Sequence, residues 1–336
     1  MYYAGLDVSL KETFVCIMNE KGEILSEESV LSDGDAIGAH SKRFKIHYER
    51  IALESGQLSI SLCKALIKQG LPVICVDARH MAAALSARIN KNDQNDARGI
   101  AHLLRANLYK EVHVKSDEAC EQKILLGSRR QRVVARQQLM GTIRGLLKIY
   151  GIKRGSQTDF YEKIESVLQP LSPTIRYSIE ALVTRLKEIE QSLKKLENTL
   201  SQLMKNDEGC QRLMTIPGVG IITACTYKAA LDAPERFDRS EIVGAYFGLT
   251  PKQYASGDVN RHGSISKMGP KECRTLLYEA AHVLLTRCKQ ASDLKSWGLK
   301  LLKKKGMKKA VVAVARKLAV IMHRMLVNKT DFCFKK

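Results

Sequence analysis

The sequence has no Cys-x-x-Cys pair, no apolar run of membrane-spanning length, no internal repeat and no low-complexity tract. Nine cysteines, an odd number scattered without paired spacing, point to reduced thiols and exclude a disulfide frame or a zinc site. A bilayer takes roughly 20 consecutive apolar residues to cross, and no stretch approaches that, so no membrane partner is expected. Met1 leads directly into an apolar strand pattern, so no signal peptide is expected and the cytoplasm is the expected compartment. The C-terminal half holds no Arg…His-x-x-Arg…Tyr arrangement, which sets aside a tyrosine recombinase. Acid is also missing locally. Lys123 to Arg154 carries nine Lys/Arg and no Asp or Glu, and residues 295–329 carry eleven and none.

What is present is positive charge. The 336 residues leave room for two or more domains, and 55 Lys+Arg against 35 Asp+Glu give a net charge of +20. That excess favours a polyanionic partner, most simply nucleic acid. A hydrophobic content of 45% is enough to bury large cores.

Against that basic background, four acids stand out. Asp7 lies in the apolar run Tyr3-Ala-Gly-Leu-Asp7-Val-Ser, and Glu54 ends a second one, Ile51-Ala-Leu-Glu54. Asp93 and Asp96 open a helical pattern, three residues apart and so about one turn apart on one face. Carboxylates at strand ends and on a nearby helix suit hard divalent ions, and two such ions can clamp both oxygens of an in-line phosphate displacement. For the last pair there is a plainer reading, with Asp93 as helix cap and Asp96 as a first-turn acid. Asp7 is harder to explain that way, because a lone carboxylate in an apolar strand needs a partner.

The pattern over 1–115 alternates. Strands are expected at Tyr3–Val8, Thr13–Met18, Glu23–Val30, Arg50–Glu54 and Pro72–Val76. Helices are expected at Ile60–Gln69, closed by Gly70, and at Asp93–Ala106, which together make a mixed α/β sheet domain. Residues 116–205 read as basic and almost wholly helical, and 206–336 as a third, mostly helical region. In the middle region Leu182, Leu186, Ile189, Leu193, Leu196, Leu200 and Leu203 recur at spacings of 4, 3, 4, 3, 4 and 3. Such a seam makes a dimerising or interdomain coiled coil, or one face of an intramolecular helical hairpin. Arg129, Arg130, Arg132 and Arg136 could line a nucleic-acid groove, as could Lys303, Lys304, Lys305, Lys308 and Lys309.

Two further segments draw notice. Ile216-Pro-Gly218-Val-Gly220 precedes a helical pattern and looks like a helix-hairpin-helix element that offers free N–H groups to phosphate, or else an ordinary helix–turn–helix connection. Leu249–His262 reads as a polar loop, and helices are expected at Ser240–Gly248, Lys271–Cys288 and Lys309–Val327. Sequence physics alone does not choose among Ser256, Ser264 and Ser266.

Taken in order, these landmarks resemble the bacterial insertion-sequence transposases with an N-terminal DEDD domain and a C-terminal serine-bearing transposase domain, a group that includes pilin-inversion recombinases. The resemblance spans nearly the whole chain. It rests on Gly5-Leu-Asp7-Val-Ser, the Glu54 strand, Asp93-x-x-Asp96-Ala-Arg98, Ile216-Pro-Gly-Val-Gly220, Gly248-Leu-Thr-Pro251, Ser256-Gly257 and Ile265-Ser-Lys267-x-Gly269. It implies a RuvC-like ribonuclease-H fold in the first domain, with Asp7, Glu54, Asp93 and Asp96 holding Mg²⁺ or Mn²⁺. It implies that Ser256 is a nucleophile that becomes covalently linked to DNA. It also implies donor and target DNA as partners, a structured bridge RNA that pairs with both, and a homo-oligomer, dimer or dimer of dimers. The rival expectations are a hydrolytic nuclease of Holliday-junction type and a non-catalytic nucleic-acid-binding protein.

Overall fold

The computed structural model describes residues 1–86, 92–152, 164–256 and 259–334. The chain divides into two compact units, Met1–Lys115 and Ser116–Lys336.

The first unit is built on a five-stranded sheet. Its strands are β1 (Tyr2–Val8), β2 (Glu12–Asn19), β3 (Ile24–Leu31), β4 (Tyr48–Glu54) and β5 (Val73–Val76), in the order β3-β2-β1-β4-β5. β1 pairs antiparallel with β2 and parallel with β4, and β4 pairs parallel with β5. Strand alternation divides the side chains between two faces. Ala4, Leu6, Ile51 and Leu53 are buried against α1 (Gly34–Arg43) and α2 (Ser59–Lys68). Gly5 and Ala52 face α4 (Asp93–Arg105). The expected strands and both expected helices are present. Two helices were not expected, α1 and the short α3 (Ala78–Leu85); each is opened by an aspartate, Asp33 and Asp77, that caps backbone N–H groups. At the end of α2, Gly70 has the positive φ of 82° that a glycine terminator supplies.

The second unit is mainly helical. Helix α5 (Asp117–Lys148) and helix α6 (Pro173–Lys205) pack side by side, so the leucine seam is used within the chain, the hairpin alternative. Leu186, Leu193 and Leu200 are buried, whereas Leu182, Ile189 and Leu196 are half-buried and Leu203 is exposed. The core of this unit gathers around Tyr227 and Phe247, fully buried among α7 (Glu208–Met214), α8 (Ile221–Leu231), α9 (Ile242–Tyr246), α10 (Lys271–Thr286), α11 (Asp293–Lys305) and α12 (Met307–Asn328). The Tyr227 hydroxyl donates to the Ala319 carbonyl at 2.7 Å, and burial pushes its pKa well up. Lys228 pairs with Asp207 at 2.6 Å and with Glu118 at 3.1 Å, tying α7, α8 and α5 together.

One expectation is overturned here. Leu249–His262 is not a loop: β6 (Pro251–Ser256) and β7 (Val259–Ile265) form an antiparallel ribbon. Ser256 pairs with Val259, leaving a two-residue connection at the tip. Gly257 of the Ser256-Gly257 landmark lies outside the described residues, as do Lys153 and Arg154 of the first basic run. No described helix is long and apolar enough to cross a membrane.

Candidate active site

Asp7 is the next-to-last residue of β1 and Glu54 is the last of β4. These strands are parallel neighbours with Leu6 opposite Leu53, so the two acids follow directly at the same end of both. By alternation Asp7 shares a face with Gly5 and Glu54 with Ala52, the face that α4 covers. Both acids line one cleft of about 520 Å³, together with Ser9, Ser55 and Gln57. Asp7 is half-buried and engaged with the rest of the chain, as a carboxylate in an apolar strand must be.

Gly5 decides where α4 lies. A Cβ at position 5 would sit 2.1 Å from the Ala97 carbonyl oxygen and 2.6 Å from the Ala101 nitrogen, so only glycine admits the helix backbone at this distance. Near the other end of the helix, Arg105 donates to the Glu20 carbonyl at 3.1 Å, just past Asn19, the β2 residue opposite Tyr2. The helix therefore runs back along β1, and its first turn, with Asp93 and Asp96, lies toward the Asp7 end. Asn92, not Asp93, is the cap; its side chain accepts from the Asn95 N–H at 2.8 Å. Asp93 is exposed and Asp96 half-buried.

A second device holds the same turn. Arg98 donates two hydrogen bonds to Glu27 on β3, at 2.8 and 2.7 Å, and Gln94 adds a third at 2.7 Å. The Arg98 bonds hold the Glu27 carboxyl below its usual pKa against the opposing effect of burial, and Glu27 in turn raises that of Arg98. Sequence reasoning noted Arg98 and missed Glu27, which lies 71 positions away and shows no local signal.

The four donors are all carboxylate oxygens, the hard class that Mg²⁺ and Mn²⁺ take. The set fits such an ion in chemistry and in its placement at one end of one sheet face. It does not close tightly: among the described residues, no three His, Cys, Asp or Glu form a group that could hold a metal ion. The structure brings Asp7 and Glu54 into one cleft and directs Asp93 and Asp96 toward the same end.

In the second unit the landmarks form a connected assembly. Gly248 has φ 66° and Gly269 has φ 71°. A Cβ on Gly248 would meet the Met268 backbone at 2.3 Å, and one on Gly269 would meet the Tyr246 carbonyl at 2.0 Å. Ser266 donates its N–H to Thr250 and Lys267 donates its own to Gly248. Arg274, which sequence reasoning missed, donates from one Nη1 to the Phe247 and Met268 carbonyls at 3.0 and 2.9 Å. Gly248-Leu-Thr-Pro251 and Ile265-Ser-Lys267-x-Gly269 are thus the two sides of one clamp at the base of the ribbon, and Ser256 is at its far end. Lys267, in the left-handed region at φ 55°, is exposed.

The remaining candidates divide. Gly218, at φ 90°, comes close to the chain's own α10, since a Cβ there would lie 2.7 Å from the Ala280 carbonyl. Gly220 faces open space and precedes the first residue of α8. Arg129 pairs with Glu197 at 2.6 Å and Arg132 donates to Ser192 at 2.7 Å, so these two fasten α6 to α5. Arg130 is exposed and lies 3.7 Å from Glu272, and Arg136 has no ion-pair partner among the described residues. Lys303, Lys304, Lys305, Lys308 and Lys309 are all exposed around the corner at Gly306, between α11 and α12. All nine cysteines are free.

Comparison with known proteins bears on both units. A family profile described as a DEDD transposase matches residues 4–152, and one described as Transposase IS116/IS110/IS902 family matches residues 210–296. The transposase for insertion sequence element IS1111A of Coxiella burnetii is 30% identical over 342 residues, spanning 98% of this chain and 90% of that protein. A probable family 20 transposase of Pseudomonas aeruginosa is 28% identical over 250 residues, spanning 72% of this chain and 74% of that one. Among solved structures, T. thermophilus RuvC in complex with a Holliday junction substrate aligns with 33% of this chain and 99% of its own, at 14% identity and a TM-score of 0.26.

Proposed function

The chain belongs to the IS116/IS110/IS902 family of insertion-sequence transposases, and from that premise we propose that it cuts and rejoins DNA with a carboxylate-held divalent ion and a serine nucleophile. The observation that carries this reading is the placing of Asp7 and Glu54 at adjacent ends of parallel strands, in one cleft, on the face covered by the helix that bears Asp93 and Asp96. These four acids would hold Mg²⁺ or Mn²⁺. A bound ion of that kind polarises a phosphate and lowers the pKa of a nearby hydroxyl.

The Ser256 oxygen attacks the scissile phosphorus, forming one O–P bond as the bond to the sugar oxygen breaks. The serine proton leaves, and the departing sugar oxygen ends as a hydroxyl. A hydroxyl from the partner strand reverses the step, so the bond energy is kept for rejoining. Serine hydroxyls are weak nucleophiles without such activation. The fixed base of the ribbon, with its Gly248–Met268 and Arg274 contacts, supports a role for its tip in positioning the nucleophile.

Donor and target DNA are the substrates, and a structured bridge RNA pairing with both is the guide. The exposed lysines at 303–305 and 308–309, with Lys267, Arg130 and Arg136, supply positive surface for these polyanions. Two DNA partners and several strand exchanges call for a homo-oligomer, a dimer or a dimer of dimers.

A trapping assay tests the chemistry. The protein, with its co-purifying RNA, is mixed with Mg²⁺ and DNA carrying the element's junction, denatured, and searched for a protein–DNA adduct by gel and peptide mass. The expected result is an adduct on Ser256 that disappears in Ser256→Ala and in Asp7→Asn. Cut ends without an adduct would replace this reading with a hydrolytic nuclease. RNA-loaded protein that binds DNA but neither cuts nor forms an adduct would leave a binding protein.

A further inference from the structure

Most side chains described on the ribbon are left in solvent. Lys252, Gln253, Tyr254, Arg261, Gly263 and Ser264 are exposed, and among the described residues of β6 and β7 only Ile265 packs against the core. A lone two-stranded hairpin is marginal in water, so this ribbon is held by the clamp at its base and has an unused surface above it. That surface is basic and aromatic. Tyr254 is 62% exposed, and Arg261 is directly opposite it across the ribbon. Position 263 is glycine, and a Cβ there would lie 3.4 Å from the Tyr254 ring and 3.7 Å from Lys252, so the ring lies along the opposite strand at a position without a side chain. Lys252 is two positions before Tyr254, and the last residue of β6, Ser256, is two positions after it.

We infer that this ribbon is a finger that enters the major groove of duplex DNA, with Lys252 and Arg261 on backbone phosphates and Tyr254 against base edges. The shape selects the partner. Two paired strands lie about 4.8 Å apart, and the B-form major groove, roughly 12 Å wide, admits a two-stranded ribbon. The major groove of A-form RNA is too deep and narrow for side chains to read. The charge selects it too: on one face Lys252 is two positions from Tyr254 on β6 and Arg261 is opposite Tyr254 on β7, and the acid of this segment in the sequence, Asp258, falls between the two strands. The inference rests on the transposase reading for its substrate. It adds the way that substrate is engaged, independently of any covalent step.

The test is binding and chemical protection with full-length protein and no Mg²⁺, so that no cleavage is required. The probes are a fluorescein-labelled 30-base-pair DNA duplex carrying the element's junction and an RNA duplex of the same sequence. Lys252→Gln/Arg261→Gln is expected to lower the dependence of log K on log salt by about 2, close to 0.9 per phosphate contact. Tyr254→Ala is expected to weaken DNA binding about tenfold, or about 1.4 kcal/mol, at an unchanged slope. Wild-type protein is expected to protect guanine N7 from methylation by dimethyl sulfate at a short run of bases, and Tyr254→Ala to lose that protection. A thermal melt checks that each variant is folded. Unchanged affinity, slope and N7 protection in folded variants would overturn the inference, as would an equal loss on the RNA duplex. Ser256→Ala that keeps DNA binding and N7 protection but forms no adduct would leave the finger standing. A wild-type protein that forms no adduct in the separate trapping assay with Mg²⁺ and RNA, yet shows the finger's protection pattern here, would sink the serine chemistry alone.

Discussion

The two units present their candidate chemistry in opposite ways. In the first, Asp7 and Glu54 are on inner strands of a five-stranded sheet, and Asp93 and Asp96 are on a helix fixed to it by a missing side chain at Gly5 and by the Glu27–Arg98 pair. In the second, Ser256 ends a ribbon secured only at its base. A group that must repeatedly hold an ion benefits from a support that does not move. A nucleophile that must reach DNA benefits from an element whose surface is left for the DNA to cover. The acids are carried on packed elements, whereas the strand that ends at Ser256 is anchored through the base of its ribbon.

That contrast can be broken or sharpened by experiment. The largest effect is expected from Asp7→Asn, which removes a charge and leaves the shape: strand exchange falls below detection while nucleic-acid binding and the thermal midpoint stay near wild type. Recombination by this variant would break the reading of the sheet unit as the ion-holding half. Next is Lys228→Met, which leaves Asp207, 10% exposed, without its main cation. Breaking such a pair costs about 3 kcal/mol, so a urea melt should show the helical unit weakened while the ribbon's contacts are untouched. Gly5→Val forces α4 off β1 and is expected to cost about 1–3 kcal/mol by overpacking. Its sharper signature is loss of the Asp7-dependent adduct even where the variant stays folded, because the acids of α4 have moved.

The Glu27–Arg98 pair gives a smaller, pH-dependent effect. Glu27 has a lowered pKa in the folded state, so it stabilises at neutral pH, and that contribution is lost as pH falls below the ordinary carboxylate range and through its lowered value. Urea melts at pH 7 and pH 2 should show wild type losing about 1–2 kcal/mol more than Glu27→Gln over this interval. Equal losses would mean that α4 is held by Gly5 alone. The smallest effect belongs to the lysine corner. Lys304→Gln should leave stability unchanged and lower the salt slope of DNA binding by about 0.9 if it meets a phosphate.

Much of this was legible in the sequence. The strand runs around Asp7 and Glu54 alternate or stay apolar because the sheet is covered on both faces, and Gly70 ends its helix as expected. The acids were readable because Asp7 interrupts an apolar run, Glu54 ends one, and Asp93 and Asp96 open a helical pattern. The ribbon was missed although Gly257-Asp258 between two polar, alternating stretches is a hairpin signal. Lys252, Gln253, Tyr254, Arg261 and Ser264 are exposed, so these strands lack the apolar alternation that marks a strand. Gly218 and Arg129 were read outward, toward a ligand, and point inward, because a glycine that spares a ligand and one that spares a neighbouring helix look alike in one dimension. Glu27 and Arg274 act on partners that only folding brings near.

The bare backbone at Gly5 also sets a tolerance. With α4 resting directly on β1 at Gly5, there is no side chain at that point whose rotation could take up a change of length. A carboxylate at position 7 moved outward by one methylene, as in Asp7→Glu, would meet a partner helix that has no slack to retreat. The spacing of α4 from β1 at Gly5 is therefore set by main chain against main chain, and the length of the acid two residues further along the same face of the strand is constrained with it.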